Sequence, residues 1–169
     1  MTWIKQITDK DILGTEGLSI SKPRHTARAI LKNDLDQYAV MYASEFNLYS
    51  LPGGGIEDGE EVVEALKREI MEETGCSCDS INELGLVEEN RAHQDFVTIS
   101  HYFLVTTKCH FLRPELTEDE ASHGTTVAWH SLEDAYHCIA DIEHPTTQRK
   151  FLQARDLEAL TAYMGQINK

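Results

Sequence analysis

Three carboxylates, Glu69, Glu72 and Glu73, fall close together in a stretch of helical composition spanning residues 60–74. In a helix, spacings of i, i+3 and i+4 bring side chains to one side, a few ångströms apart. Like charges so placed destabilise a helix by a few tenths of a kcal/mol per pair, and on that side the pattern shows no interleaved Lys or Arg. The ordinary account of such a run is a solvated acidic face. The periodicity points elsewhere. At about 100° per residue, Val62, Val63, Leu66 and Ile70 form an apolar stripe, while Glu60, Glu64, Lys67 and Met71 take the opposite side. Glu69 and Glu73 border the stripe, with Glu72 beside them. Carboxylates at the edge of a core need a cation to offset their desolvation. A hard divalent ion with oxygen ligands meets that need, and Mg²⁺ is the expected one, with Mn²⁺ as a substitute.

Directly ahead of this helix lies Pro52-Gly53-Gly54-Gly55. A glycine triplet by itself is a turn; placed before a carboxylate-bearing helix, it is a candidate cradle for phosphate and metal. Gly75 occupies the place of a left-handed C-terminal cap.

Gly54, Glu60, Arg68, Glu69, Ile70, Glu72, Glu73, Gly75 and Cys76 together match the Nudix box, G-x5-E-x7-R-E-U-x-E-E-x-G-U, where U is a bulky apolar residue. The one departure is Cys76 at the last apolar position, and free Cys behaves as a small hydrophobe. The chain thus resembles the Nudix hydrolase family, MutT-like members included, across these 23 residues. The resemblance implies an α/β fold, an α/β/α sandwich around a mixed β-sheet. It implies Mg²⁺-dependent cleavage of a phosphoanhydride bond in a nucleoside diphosphate linked to a moiety X, by water attack on phosphorus. It also implies that Glu69, Glu72 and Glu73 are the catalytic, metal-holding carboxylates, that the Gly53 carbonyl is a further ligand, and that Glu60, Arg68 and Gly54 support the site. Glu69 is the expected general base. In the family a glutamate of a distal loop sometimes serves instead, and Glu120, next to Glu118 and Asp119, is the candidate here for that role and for a metal ligand.

These residues need elements to hold them. Segments 26–31, 38–42, 46–51, 84–89, 96–107 and 125–129 read as strands, with a polar turn over 33–37 making a hairpin of the first two. Residues 52–55 are expected to break regular structure. Ser131 opens a helix running towards Ala140, and 148–164 reads as a final helix. The whole, 1–169, is expected to be one domain, with 1–23 as a polar lead and 146–169 as a C-terminal helix belonging to it. Tyr102 and Phe103 alternate on a strand, so one of them is expected to face inward. Arg24, Arg28 and Arg91 are the cations available for phosphates, Arg28 and Arg91 being the expected substrate-binding pair.

Composition narrows the partners. Fifteen Lys and Arg against 29 Asp and Glu leave a formal charge of −14, so bulk nucleic acid is an unfavourable partner and a small nucleotide the expected one. A ligand-sensing module without catalysis and an RNA 5′-end pyrophosphohydrolase are the competing readings. The full carboxylate set argues against the first, and the missing basic stripe against the second. No apolar run approaches the ~20 residues of a membrane span, and the charged start shows no leader, so a cytoplasmic protein is expected. Cys76, Cys78, Cys109 and Cys138 have no paired spacing and read as buried or idle thiols. His93, His101, His110 and His123 are scattered without ligand spacing. The last helix is a candidate homodimer surface.

Overall fold

The computed structural model describes residues 2–108 and 124–168. Glu120, with Glu118, Asp119, Cys109, His110 and His123, lies outside the described residues.

The first strand of the sheet lies within residues 1–23, where a polar lead is expected from the sequence. Strand β1, Trp3–Thr8, pairs in parallel with β6, Ser80–Arg91. A short helix α1, Asp9–Leu13, follows; His93 is bonded to Asp9 through both its backbone N–H and its ring, at 2.7 and 2.8 Å. Only Ile7 of β1 is a buried hydrophobe, so the strand carries almost no alternation signal. Its place is set by β6 rather than by its own pattern.

Next come β2 (Arg24–Asn33), β3 (Tyr38–Ala43), β4 (Leu48–Ser50), β5 (Gly53–Gly55) and helix α2 (Val62–Thr74). After β6, the chain continues through β7 (Phe96–Thr107), β8 (Thr125–His130), α3 (Leu132–Ala140) and α4 (Thr147–Ile167). Among the described residues the eight strands form one mixed sheet in the order β1-β6-β7-β2-β3-β4, with β5 added to β2 and β8 to β3. Strands β2 and β7 run parallel over ten paired residues, and β6 and β7 antiparallel. The expected turn at 33–37 is present: Asn33 N–H donates to the Gln37 carbonyl, and Asp36 takes a left-handed φ of 58°. Yet β2 and β3 pair only at Lys32↔Tyr38 before they diverge. The split lets β5 pair with β2 while β3 joins β4 and β8.

One apolar cluster packs α2 on the sheet through Ala27, Ala29, Leu31, Ala65, Leu66, Ile70, Phe103 and Val105. A second lies on the opposite face under α3 and α4, with Ile30, Val40, Val87, Tyr102, Phe151 and Leu160. The result is the expected α/β/α sandwich. Because both faces are covered, Tyr102 and Phe103 are both buried, one in each cluster, and not just one of the two. Among the described residues, no helix is long and apolar enough to cross a membrane.

Candidate active site

Residues 52–55 were expected to break regular structure; instead Gly53–Gly55 is strand β5, antiparallel to β2 in the register Arg28↔Gly53, Ala27↔Gly54, Thr26↔Gly55. Each glycine is needed for a separate steric reason. Gly53 has φ of 134°, and a Cβ there would lie 2.2 Å from the Ala27 carbonyl oxygen. A Cβ on Gly54 would lie 2.5 Å from the Glu69 carboxylate, and one on Gly55 would lie 2.7 Å from Arg24 Nη2. Without side chains, this strand lets charged groups approach the backbone from both sides.

The polarity of β5 follows from its ladder. Ala29 N–H donates to the Pro52 carbonyl and Ile56 N–H to the His25 carbonyl, at 2.9 and 3.1 Å. In antiparallel alternation, Gly53 and Gly55 then turn their N–H and C=O away from β2. Gly53 N–H duly donates to Glu73 Oε2 at 2.7 Å, and the Gly55 carbonyl accepts from Arg68 Nη2 at 3.0 Å. The Gly53 carbonyl is therefore turned to the same side as its N–H, towards α2.

Helix α2 presents the carboxylates to this edge. It ends at Gly75, in the left-handed conformation with φ of 70°. Its buried residues are Ala65, Leu66, Glu69, Ile70, Glu73 and Thr74. Val63, expected on the core stripe, is instead exposed (37%); Ala65 takes its share of the buried side. Glu69 and Glu73 are about nine-tenths buried, consistent with their position at the border of that side.

Arg68 organises the acidic groups. Its Nε and Nη2 both bond Glu60, at 2.8 and 2.9 Å, and its Nη1 reaches Glu69 Oε1 at 2.7 Å and Glu72 Oε2 at 3.3 Å. This corrects the expectation that no Lys or Arg is interleaved among the carboxylates. Arg68 lies one residue from Glu69 along the chain, but its long side chain swings across to both acids. Its hydrogen bonds hold the Glu60 carboxyl well below its usual value, to about 2, with help from a backbone N–H bond of Glu57. Among the described residues, no three His, Cys or acidic side chains converge as a ready-made metal cluster. Arg68 instead sits between Glu69 and Glu72, while Glu73 is turned to Gly53 N–H.

On the far side of β5 lies a cleft of about 270 Å³ whose lining includes Arg24, Arg28, Glu89, Arg91, Phe96 and Arg155. Arg28 and Arg91, named from the sequence as phosphate-binding candidates, are brought together here. Glu89 and Arg155 were not anticipated. Arg91 Nη2 donates to Glu89 Oε1 at 2.6 Å, and its guanidinium lies 5.4 and 5.1 Å from the Phe96 and Phe151 ring centres. Arg155 bonds Asp156 Oδ1 at 3.0 Å and Glu89 Oε2 at 3.3 Å. Tyr102 also donates to Asp156 Oδ1, and Leu51 N–H to Oδ2 at 2.9 Å. Burial works to raise the Asp156 pKa, but the charges of Arg155 and Arg28 outweigh it and hold the group below the ordinary carboxylate range. A signal for this network does exist in the sequence. Glu89 and Arg91 continue the inward parity of Val87, and Arg155 stands four residues from both Phe151 and Ala159 on a buried stripe.

The two regions are continuous. Arg24, Gly54 and Gly55 line both the arginine cleft and an adjoining space of about 440 Å³ bounded by Arg68, Glu69 and Glu72. A mixed sheet between helices, a glycine strand and an acidic helix against it define a class of protein. The model of the NUDIX domain matches residues 22–154, and the chain belongs to that family. A curated Caenorhabditis elegans protein carrying a nudix-hydrolase name is 26% identical over 113 residues, 64% of this chain but 28% of that protein. The chain thus corresponds to little more than a quarter of that relative's length. Among solved structures, a NUDIX hydrolase from Nitrosomonas europaea superposes with a TM-score of 0.63 at 21% identity, covering 86% of this chain and 90% of that one. The NUDIX domain of Shewanella oneidensis NrtR, complexed with ADP ribose, gives 0.63 at 16% identity, covering 88% and 90%. At such identities the likeness is one of fold.

Proposed function

We propose that this chain hydrolyses the phosphoanhydride bond of a nucleoside diphosphate linked to a moiety X, with Mg²⁺ as cofactor. The observation that carries this reading is the acidic edge of α2 set against β5, opening directly into an arginine-lined cleft. An anionic substrate could lie across β5 with its diphosphate between the two.

The donor set suits a hard divalent cation: Glu69, Glu72 and Glu73 supply carboxylate oxygens, and the Gly53 carbonyl faces the same edge. The bare Cα of Gly54, beneath the Glu69 carboxylate, leaves that group room against the strand. Arg68 is anchored through Nε and Nη2 to Glu60 and the Gly55 carbonyl, so that only its Nη1 arm has to share Glu69 and Glu72 with an incoming ion. When bound, Mg²⁺ supplies charge neutralisation and makes the attacking water more acidic.

The chain's own residues do the rest. Glu69 accepts the proton of the attacking water, help typically worth 10²–10⁴-fold in rate. Arg28 and Arg91 hold the diphosphate and offset the negative charge that gathers on it in the transition state. Glu60 and Arg68 position Glu69 and Glu72. Glu120 remains the candidate for a distal metal ligand.

The test is release of phosphate-containing products from a panel of nucleoside diphosphate derivatives, with and without Mg²⁺. Turnover that requires the ion supports the proposal; binding of the panel without any turnover would replace it with a nucleotide-sensing role. A triphosphorylated RNA in the same panel addresses the 5′-end alternative.

A further inference from the structure

Beyond the arginine cleft lies a shelf of about 480 Å³ bounded by Arg91, Gln94, Phe96 and Gln148. Arg91, Phe96 and Gln148 line the cleft as well, so shelf, cleft and the acidic edge of α2 follow one another without a break. Among the described residues the shelf offers one aromatic ring, two carboxamides and no carboxylate. Phe96 opens β7 directly opposite Arg91 in the β6–β7 ladder, and the Arg91 guanidinium lies over its ring at 5.4 Å. The ring is half-buried, which leaves part of it open to a ligand. Gln94 and Gln148 are exposed, and among the described residues neither side chain has a hydrogen-bond partner.

Exposed glutamines are ordinarily solvated surface. These two are carried by backbone that the fold pins. Gln94 ends the short helical turn Ala92–Gln94 between β6 and β7. On one side of it, His93 is held by the buried carboxylate of Asp9 through both N–H and ring. On the other, Asp95 takes a left-handed φ of 48° and accepts from Ser19 Oγ at 2.6 Å. Gln148 stands in the first turn of α4, which Thr146 caps by accepting from the Arg149 N–H. With the backbone already ordered, a ligand has only two side-chain rotamers to fix.

We infer that the shelf seats the base of the nucleoside diphosphate, adenine above all, stacked on Phe96 and read by Gln94 and Gln148. This rests on the hydrolase reading, which puts the diphosphate in the cleft next to the shelf. An aromatic face accepts any base and strengthens binding by about five- to hundredfold. Selection falls to the amides. A carboxamide offers an acceptor and a donor side by side, and these match the amino group of adenine and the ring nitrogen beside it. Guanine calls for a guanidinium at O6 and N7. Arg91 is already committed, with Nη2 on Glu89, its plane between Phe96 and Phe151, and the diphosphate as its ligand. Cytosine calls for a carboxylate at its amino group, which the described lining does not offer. Uracil brings one ring to the stack where a purine brings two.

Hydrolysis of ADP-, GDP-, CDP- and UDP-glucose with Mg²⁺ tests it, since only the base changes along the series. The kcat/KM ratio is expected to favour ADP-glucose by about tenfold or more. Gln94→Ala and Gln148→Ala remove exposed side chains, and each should narrow that preference severalfold. Phe96→Leu, which keeps apolar bulk in the wall, should raise KM for all four by about fivefold or more, and act on KM rather than kcat. Equal kcat/KM across the series, a preference for another base, or a preference that both glutamine variants leave unchanged overturns the inference. Glutamine variants that alter the ratio between ADP-glucose and ADP-mannose, while the base ranking stays as it was, mean that the shelf holds X and overturn it too. If none of the four is hydrolysed, the hydrolase reading fails, and calorimetry with ADP, GDP, CDP and UDP still decides the shelf. ADP binding about tenfold tighter than the others, and weakened by the glutamine variants, upholds it; equal binding of all four strikes it.

Discussion

Two charge networks flank strand β5, and they are built on opposite plans. On the α2 side, Glu60, Glu69 and Glu72 all bond one arginine, Arg68, so negative charge is in excess and a cation is wanted. On the other side, arginines outnumber the buried carboxylates Glu89 and Asp156, so an anion is wanted. The first network comes from one helix and the loop before it. The second is gathered from β2, β6 and α4. The difference shows how a strongly acidic protein can accept an anionic substrate: positive charge is concentrated where the ligand lies, while the surface total stays negative.

The sharpest way to break this comparison is on the acidic side. Glu69→Gln keeps the shape and removes the base, so kcat should fall by about 10²–10⁴-fold with the circular dichroism spectrum unchanged. Turnover near that of the wild type would remove Glu69 from the chemistry. On the arginine side the largest effect falls on stability instead. Arg155→Met leaves Glu89 and Asp156 buried without their shared partner, and breaking a buried pair costs about 3–5 kcal/mol. Urea unfolding should show that loss; a variant as stable as the wild type would mean that the network does not hold α4 to the sheet.

The unequal legibility of the two networks has the same origin as their architecture. Glu69, Glu72 and Glu73 repeat at helical spacing within one element, so residue order alone places them together. Glu60 and Arg68 are eight residues apart and still local. Arg155 and Glu89 are 66 residues apart, and only the packing of α4 on β6 brings them into contact. Strand β1 escaped for a related reason: with a single buried hydrophobe, its pairing is dictated by β6. The glycine triplet was visible as a break, but that it would pair with β2 depends on Ala27, Glu69 and Arg24 leaving no room for side chains. Local composition, by contrast, marks the full span of β7 through its β-branched and aromatic residues, and Gly75 marks the C-terminus of α2.

The steric limits on β5 separate the two sides within two adjacent residues. In Gly54→Ala the new methyl would meet the Glu69 carboxylate, and displacing a catalytic group by about 1 Å can cost 10²-fold in rate. In Gly55→Ala it would meet Arg24 Nη2, the far end of a long, exposed side chain that can move aside. The expected contrast is therefore a loss of about 10²-fold in kcat for the first, and a severalfold rise in KM with kcat retained for the second. Identical kinetic defects in both would mean that the strand acts as one structural unit and does not divide the site.

The smallest effect concerns how the acidic side is held together. Glu60 carries a carboxyl depressed from 4.5 to about 2, chiefly by its bonds to Arg68. A depressed carboxylate binds its proton more readily in the unfolded chain than in the folded one, so its contribution is complete above about pH 4.5 and is lost as pH falls towards 2. Arg68 stays charged throughout and adds no titration of its own. Glu60→Gln should therefore flatten the dependence of the urea midpoint on pH between 4.5 and 2 and leave the slope above pH 5 alone. The shift should be modest, since the Glu60 carboxylate lies near solvent and water screens the pair. If wild type and variant lose stability in parallel through that window, the Glu60–Arg68 bonds exist in the unfolded chain as well, and Arg68 is positioned by Glu69, Glu72 and the Gly55 carbonyl instead.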